Sequence, residues 1–223
     1  MTAKLFVQAI VKVVSGILLV GLLLFLPAGT FSYWQAWLLL GILFIPMLIA
    51  GVIMMIKSPE LLKKRLNAKE EQSEQRIVLI LSALMFIAAF VVAGFNFRFG
   101  WIVLPDWVPY VAAALFLFAY VLYAEVLREN AYLSRTVEVQ EDQKVVDTGL
   151  YGIVRHPMYM STLLLFLSMP LVLGSVISFV IMLVYIPIIA KRIRNEEQVL
   201  EEGLKGYAEY KTRVRHKVIP FIW

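Results

Sequence analysis

Four apolar runs, at about 5–26, 34–56, 77–97 and 107–127, each have the length of a bilayer crossing. A hydrocarbon core of about 30 Å takes about 20 residues of helix. Backbone surrounded by lipid must satisfy its own hydrogen bonds, which commits each run to helix. Composition agrees: 61% of the 223 residues are hydrophobic, against about 45–50% in soluble domains. The first run follows Lys4 and exceeds the roughly 7–15 apolar residues of a signal peptide. With the second run close behind it, the pair reads as a retained helical hairpin.

The region 158–190 is different. It is split by Gly174-Ser175 and carries Pro170 and Pro187. As one helix it would run about 50 Å at 1.5 Å per residue, too long for the membrane. It reads instead as a tight hairpin of two short helices of about 16 residues each. The expected fold is an all-α polytopic membrane protein with about six transmembrane helices, the last two a short helical hairpin. One domain is expected over 1–223, with a four-helix membrane part at 1–128 and a linker, hairpin and tail at 129–223.

An even number of crossings puts both termini on one side. Of the 21 Lys and Arg residues, all except Arg98 then fall on that side. The positive-inside rule makes it cytoplasmic. The net charge of +5 is thereby a matter of membrane orientation, and no nucleic-acid partner is expected. Ser58-Pro59-Glu60 marks a helix start. Leu61, Leu62 and Leu66 form a narrow apolar stripe behind it, as in a helix lying on membrane lipid. Trp101, Trp107 and Tyr110 suit an aromatic belt at the opposite face. The chain has no cysteine and only two histidines, His156 and His216, so neither thiol chemistry nor a metal site is expected.

Two polar clusters flank the split region. The first is Gly149-Leu-Tyr-Gly-Ile-Val-Arg-His-Pro-Met-Tyr159, and the second is Arg192-Ile-Arg-Asn-Glu-Glu197. A hairpin between them brings both to one membrane face. Pro157 suits a first helical turn, whose amides and dipole favour a carboxylate. Arg155 adds a charge, His156 a hydrogen bond, and Gly149 and Gly152 allow close backbone approach. Read blandly, this is a capped helix with a headgroup-binding arginine. Glu196 or Glu197 can accept both hydroxyls of a ribose or pair with an ammonium. With Glu201 and Glu202, they also fit a charged juxtamembrane helix. Arg192, one turn before Glu196, either holds an anionic substrate or pairs with that glutamate. Thr136-Val-Glu-Val139 alternates like a short strand. Tyr207, Tyr210 and Ile219-Pro-Phe-Ile-Trp223 fold back as a lid or anchor at the interface. Glu125, near a helix end, carries no assigned role.

These residues resemble the integral membrane methyltransferases around isoprenylcysteine carboxyl methyltransferase, a pattern shared by phospholipid N-methyltransferases. The resemblance rests on Val137-Glu-Val-Gln140, the run from Asp147 to Tyr159, Arg192 through Glu197, and Gly206 to Val214 with Ile219-Pro220. It covers roughly the last hundred residues. It implies S-adenosylmethionine bound at the cytosolic membrane face between linker, hairpin and tail. Gln140, Val145, Val146, Gly149, Tyr151, His156, Pro157, Met158 and Tyr159 would contact that cofactor, with Glu196 or Glu197 opposite. Arg192 matches the substrate-side arginine if Glu196 is the cofactor carboxylate, and Arg155 is the second candidate catalytic cation. The implied partners are membrane lipids and a lipophilic or lipidated methyl acceptor. A carboxylate acceptor needs no general base, and no obvious base is present beyond the glutamates, which favours carboxyl O-methylation. The alternatives are a sterol-reductase-like NADPH oxidoreductase and a non-catalytic lipid-binding protein.

Overall fold

The computed structural model describes residues 3–66, 73–133 and 139–223. Every described regular element is helical. The expected four long helices are present as α1 (Ala3–Ala28), α2 (Trp34–Lys57), α4 (Ser73–Phe99) and α5 (Trp107–Glu129). Between them lies α3 (Pro59–Leu66), the short helix expected after Ser58. Leu62 is buried, and the Lys12 ammonium on α1 donates to the carbonyl of Leu66, docking α3 against the bundle. The linker contains a 3-10 turn, Gly149–Gly152. It is followed by α6 (Pro157–Val172), α7 (Val176–Met182), α8 (Tyr185–Gly203) and α9 (Tyr207–Arg213).

Among the described residues, five helical spans are long and apolar enough to cross a membrane, and α6 is a shorter apolar helix. The chain is a polytopic membrane protein. The alternation expected from six crossings is visible in how the loops meet. At one end the Tyr33 hydroxyl donates to the carbonyl of Leu173 at 2.6 Å. Asn96 Nδ2 donates to the carbonyls of Ile102 at 3.0 Å and Gly174 at 3.4 Å. The loops after α1, α4 and α6 therefore converge. At 16 residues, α6 is about 24 Å long, and its turn remains inside the protein: Leu173 is 2% exposed and Ser175 is fully buried. Non-helical backbone at membrane depth is tolerated where protein side chains satisfy it, and Tyr33 and Asn96 do so here.

The second half of the hairpin departs from the expected short helix. From α7 the chain turns at Leu183–Val184 and continues as α8 to Gly203, giving a span of 28 residues. Pro187 accounts for the break, because its ring clashes with the carbonyl four residues earlier, at Leu183. The Ser178 hydroxyl anchors α7 by donating to the carbonyl of Ala89 on α4 at 2.7 Å.

Two apolar clusters form the core. One joins α1, α2, α4, α5 and α6 around Leu24, Leu39, Phe116 and Val172. The other joins α4, α6, α7 and α8 with the tail residue Val218, through Met85, Tyr159, Met182 and Ile193. Small residues permit close packing, as is usual between membrane helices. At Gly94 the approach is closest: a Cβ there would lie 2.6 Å from the Leu24 carbonyl oxygen of α1. The Trp101, Trp107 and Tyr110 side chains are exposed at the end where α4 meets α5.

Because the native chain lacks cysteine, single cysteines report sidedness cleanly. Ser32→Cys and Thr212→Cys in sealed vesicles are expected to react with a membrane-impermeant maleimide from opposite faces. Labelling of both from one face contradicts the six-crossing arrangement.

Candidate functional site

The linker enters the site through Tyr151. Its hydroxyl accepts a bond from Asn130 Nδ2 at 2.8 Å, and its carbonyl accepts one from the Tyr210 hydroxyl at 2.7 Å. Linker, end of α5 and α9 are thus tied at one residue. Gly149, at φ +54°, packs over the Glu129 carboxyl group, where a Cβ would approach its carbon at 3.2 Å. The Thr148 hydroxyl donates to the same carboxylate.

Next, Arg155 and His156 run alongside the tail. Their amides donate to the carbonyls of His216 at 2.9 Å and Lys217 at 2.8 Å. The Arg155 guanidinium is 4% exposed and meets Glu197 at 2.8 Å through Nε. Its Nη1 donates to the carbonyls of Val214 at 2.6 Å and Arg215 at 2.9 Å. Lys217 Nζ contacts the other Glu197 oxygen at 2.7 Å. His156 Nε2 lies 3.2 Å from Glu197. An ionised carboxylate only accepts, so Nε2 carries the proton. Two cations and an imidazole therefore surround one buried carboxylate, which joins linker, α8 and tail.

The adjacent glutamate has a different environment. Glu196 accepts from the Tyr159 hydroxyl, and that oxygen in turn receives the Arg192 Nε–H at 3.0 Å. His156 Nδ1 stands 3.8 Å from Glu196, too far for a hydrogen bond. Arg192, Glu196 and Leu200, at four-residue spacing on α8, line a cleft, whereas Ile193 and Glu197 face the interior. The cleft spans about 850 Å³ of empty space, a figure that includes the solvent at its open mouth. Its other walls are the linker at Gln143–Val146, the start of α6 at His156–Tyr159, and Tyr207 and Tyr210 on α9.

Val145, Val146, Tyr151, His156, Pro157, Met158, Tyr159, Arg192 and Glu196 are brought together around one hollow. Arg155 also borders it, with its guanidinium engaged by Glu197 and the tail carbonyls. Glu197 and Gly149 are not among the lining residues. Gln140 stands one residue further out. Its side chain donates to the Tyr132 carbonyl at 2.6 Å, and Tyr132 itself lines the cleft. The strand-like segment at 136–139 lies outside the described residues except for Val139, which packs with Leu204, Tyr207 and Tyr210. Glu125 pairs with Arg128 at 2.6 Å. The closing run folds back partly: Ile219 and Trp223 pack on the α4–α6–α7–α8 cluster, while Phe221 and Ile222 are exposed.

Asn130 and Lys217 gave no signal in the sequence. Tyr207 did only as part of an amphipathic pair. Tyr207 is 4% exposed, and its hydroxyl has no hydrogen-bond partner among the described residues. Burial, reinforced by the charges of Glu197 and Glu196, pushes this phenol far above its usual range, so it remains an O–H.

Residues 107–206 match the family model described as phospholipid methyltransferase. The match starts at α5 and ends just before α9, and it contains both polar clusters. It bears out the resemblance to integral membrane methyltransferases. The chain is also similar to the Delta(14)-sterol reductase of Mus musculus, at 28% identity over 91 residues. That stretch is 40% of this chain, and the chain spans only 22% of that relative.

Removing one partner from a buried ion pair strands the other and costs about 3–5 kcal/mol. Arg155→Ala and Glu197→Ala are each expected to lower unfolding stability in detergent by that order. The double variant should cost clearly less than the two losses combined, since both act through one interaction. Fully additive losses contradict the assignment of this pair as the clip between linker and α8.

Proposed function

We propose, from a phospholipid methyltransferase match that contains both polar clusters of the cleft, that this protein is an S-adenosylmethionine-dependent membrane methyltransferase with a lipophilic acceptor. The observation that carries the reading is the pairing of Glu196 and Arg192 one helical turn apart in one cleft, with Tyr159 bonded to both. That cleft lies where membrane helices meet a folded polar tail. A carboxylate for a nucleoside and a cation for an acidic acceptor are thereby placed side by side.

The donor set fits such a cofactor. Glu196 accepts hydrogen bonds, the Tyr207 hydroxyl, without a partner among the described residues, offers another polar contact, and Met158, Val145 and Leu200 supply apolar wall. When bound, S-adenosylmethionine supplies a methyl group already activated on a sulfonium. The protein's share is then positioning and exclusion of water. Arg192 holds the acceptor's carboxylate, and Tyr159 fixes the guanidinium by accepting its Nε–H. Arg155 keeps the α6 start and the tail in register through Glu197. A carboxylate acceptor loses its charge on methylation and releases no proton, so carboxyl O-methylation asks for no base. The acyl portion of the acceptor lies among the membrane helices, and surrounding lipids are its source. The concentration of Lys and Arg at the site's end of the bundle orients the cleft and both termini toward the cytoplasm.

The similarity to a sterol reductase keeps one alternative concrete, an oxidoreductase using NADPH. Calorimetry on the purified full chain separates the two. S-adenosylhomocysteine is expected to bind, and NADPH is not expected to displace it. Glu196→Gln should weaken binding about ten- to a hundredfold, the worth of a hydrogen bond to a charged group. Methyl transferred from labelled cofactor to a lipid extract should be released by base, as from an ester. NADPH binding in preference to S-adenosylhomocysteine contradicts the proposal, and base-stable label contradicts the carboxyl acceptor.

A further inference from the structure

Tyr207 and Tyr210 sit one turn apart on α9, with ring centroids 5.7 Å apart, yet their hydroxyls differ. Tyr210 donates to the Tyr151 carbonyl at 2.7 Å and so ties α9 to the linker. Tyr207 is equally buried, lines the cleft, and has no partner for its oxygen among the described residues. Leaving a buried hydroxyl unsatisfied is destabilising, and phenylalanine would fill the same space without that cost. A buried polar group left in this way calls for a partner from outside the chain, water or a ligand.

The surroundings define the partner. The α9 wall is firmly held: Lys211 pairs with Glu201, Arg213 Nη2 meets Asp147 at 2.7 Å, and Arg155 holds the Val214 carbonyl. Glu196 lines the same cleft, and the charges of both glutamates act on the Tyr207 phenol. A ligand group between the two must donate to the carboxylate and also bond the phenol. A second carboxylate would be repelled by Glu196. An ammonium would lie near the Arg192 guanidinium, which is anchored on the same Tyr159–Glu196 pair. A neutral hydroxyl pair meets both demands, since each hydroxyl donates once and accepts as well.

We infer that Tyr207 and Glu196 together form a diol subsite, in which the Tyr207 hydroxyl binds the ribose of the nucleoside cofactor. The inference rests on the reading of the cleft as a nucleoside site and adds a residue beyond the 107–206 match. Tyr207 is here a binding residue and takes no part in bond making.

The test compares wild type and Tyr207→Phe in calorimetry with S-adenosylhomocysteine and with its 2′-deoxy and 3′-deoxy analogues. The variant should bind the parent ligand about three- to tenfold more weakly, the worth of one neutral hydrogen bond. It should also unfold at the same or a higher temperature without ligand. Against at least one deoxy analogue the variant and wild type should bind alike, because the contact is already missing. Unchanged affinity for the parent overturns the inference, and so does an equal loss against parent and both analogues. Failure of wild type itself to bind S-adenosylhomocysteine overturns the nucleoside reading, and the subsite with it.

Discussion

The Glu197 carboxylate is the point on which the polar half of the molecule depends. It lies on α8 just beyond the apolar part of the last span, with its side chain 5% exposed. A carboxylate taken from water to that depth is costly unless it is paired and hydrogen-bonded. Arg155 arrives from the linker, His156 from the residue before α6, and Lys217 from the tail. The end of the linker, α8 and the tail are thus obliged to meet. The hollow above them, with Glu196 and Arg192 on one wall and Tyr207 on another, follows from that meeting. Binding residues held by a satisfied second layer lose little freedom when a ligand arrives.

The opposite end of the bundle solves a related problem with neutral groups. A helix of 16 residues does not reach as far as its neighbours. Its turn would expose carbonyls to hydrocarbon, and the Tyr33 hydroxyl and Asn96 amide accept that task. At its other end, the start of α6 carries His156 and Tyr159, which are buried while still bordering the cleft.

Much of this was legible because lipid imposes a strict rule: backbone exposed to hydrocarbon must satisfy its own hydrogen bonds, which long apolar helices do. The four long helices and the turn at Gly174-Ser175 follow from it. The length of α8 does not, since the helix beyond Lys191 is polar and hydropathy carries no trace of its continuation. Nor does the location of the break before it, which depends on where Pro187 meets the carbonyl of Leu183. Glu196 and Glu197 were indistinguishable in sequence because neighbours on a helix differ by about 100° in direction. What separates them is Arg155 and Lys217, brought from elsewhere in the chain. Gly149 signalled a close approach, and the approach is to Glu129. Tyr207 is notable for a bond it does not make, a property that exists only once the tail has folded.

Hydrogen–deuterium exchange on the full chain in lipid nanodiscs, comparing wild type with Glu197→Gln, tests the central claim most directly. If the buried carboxylate unites the three segments, amides of the linker at 143–156 and of the tail at 204–218 lose protection together. Those of α1, α2 and α5 stay protected. Protection unchanged in the tail, or loss spread evenly through the bundle, contradicts the account.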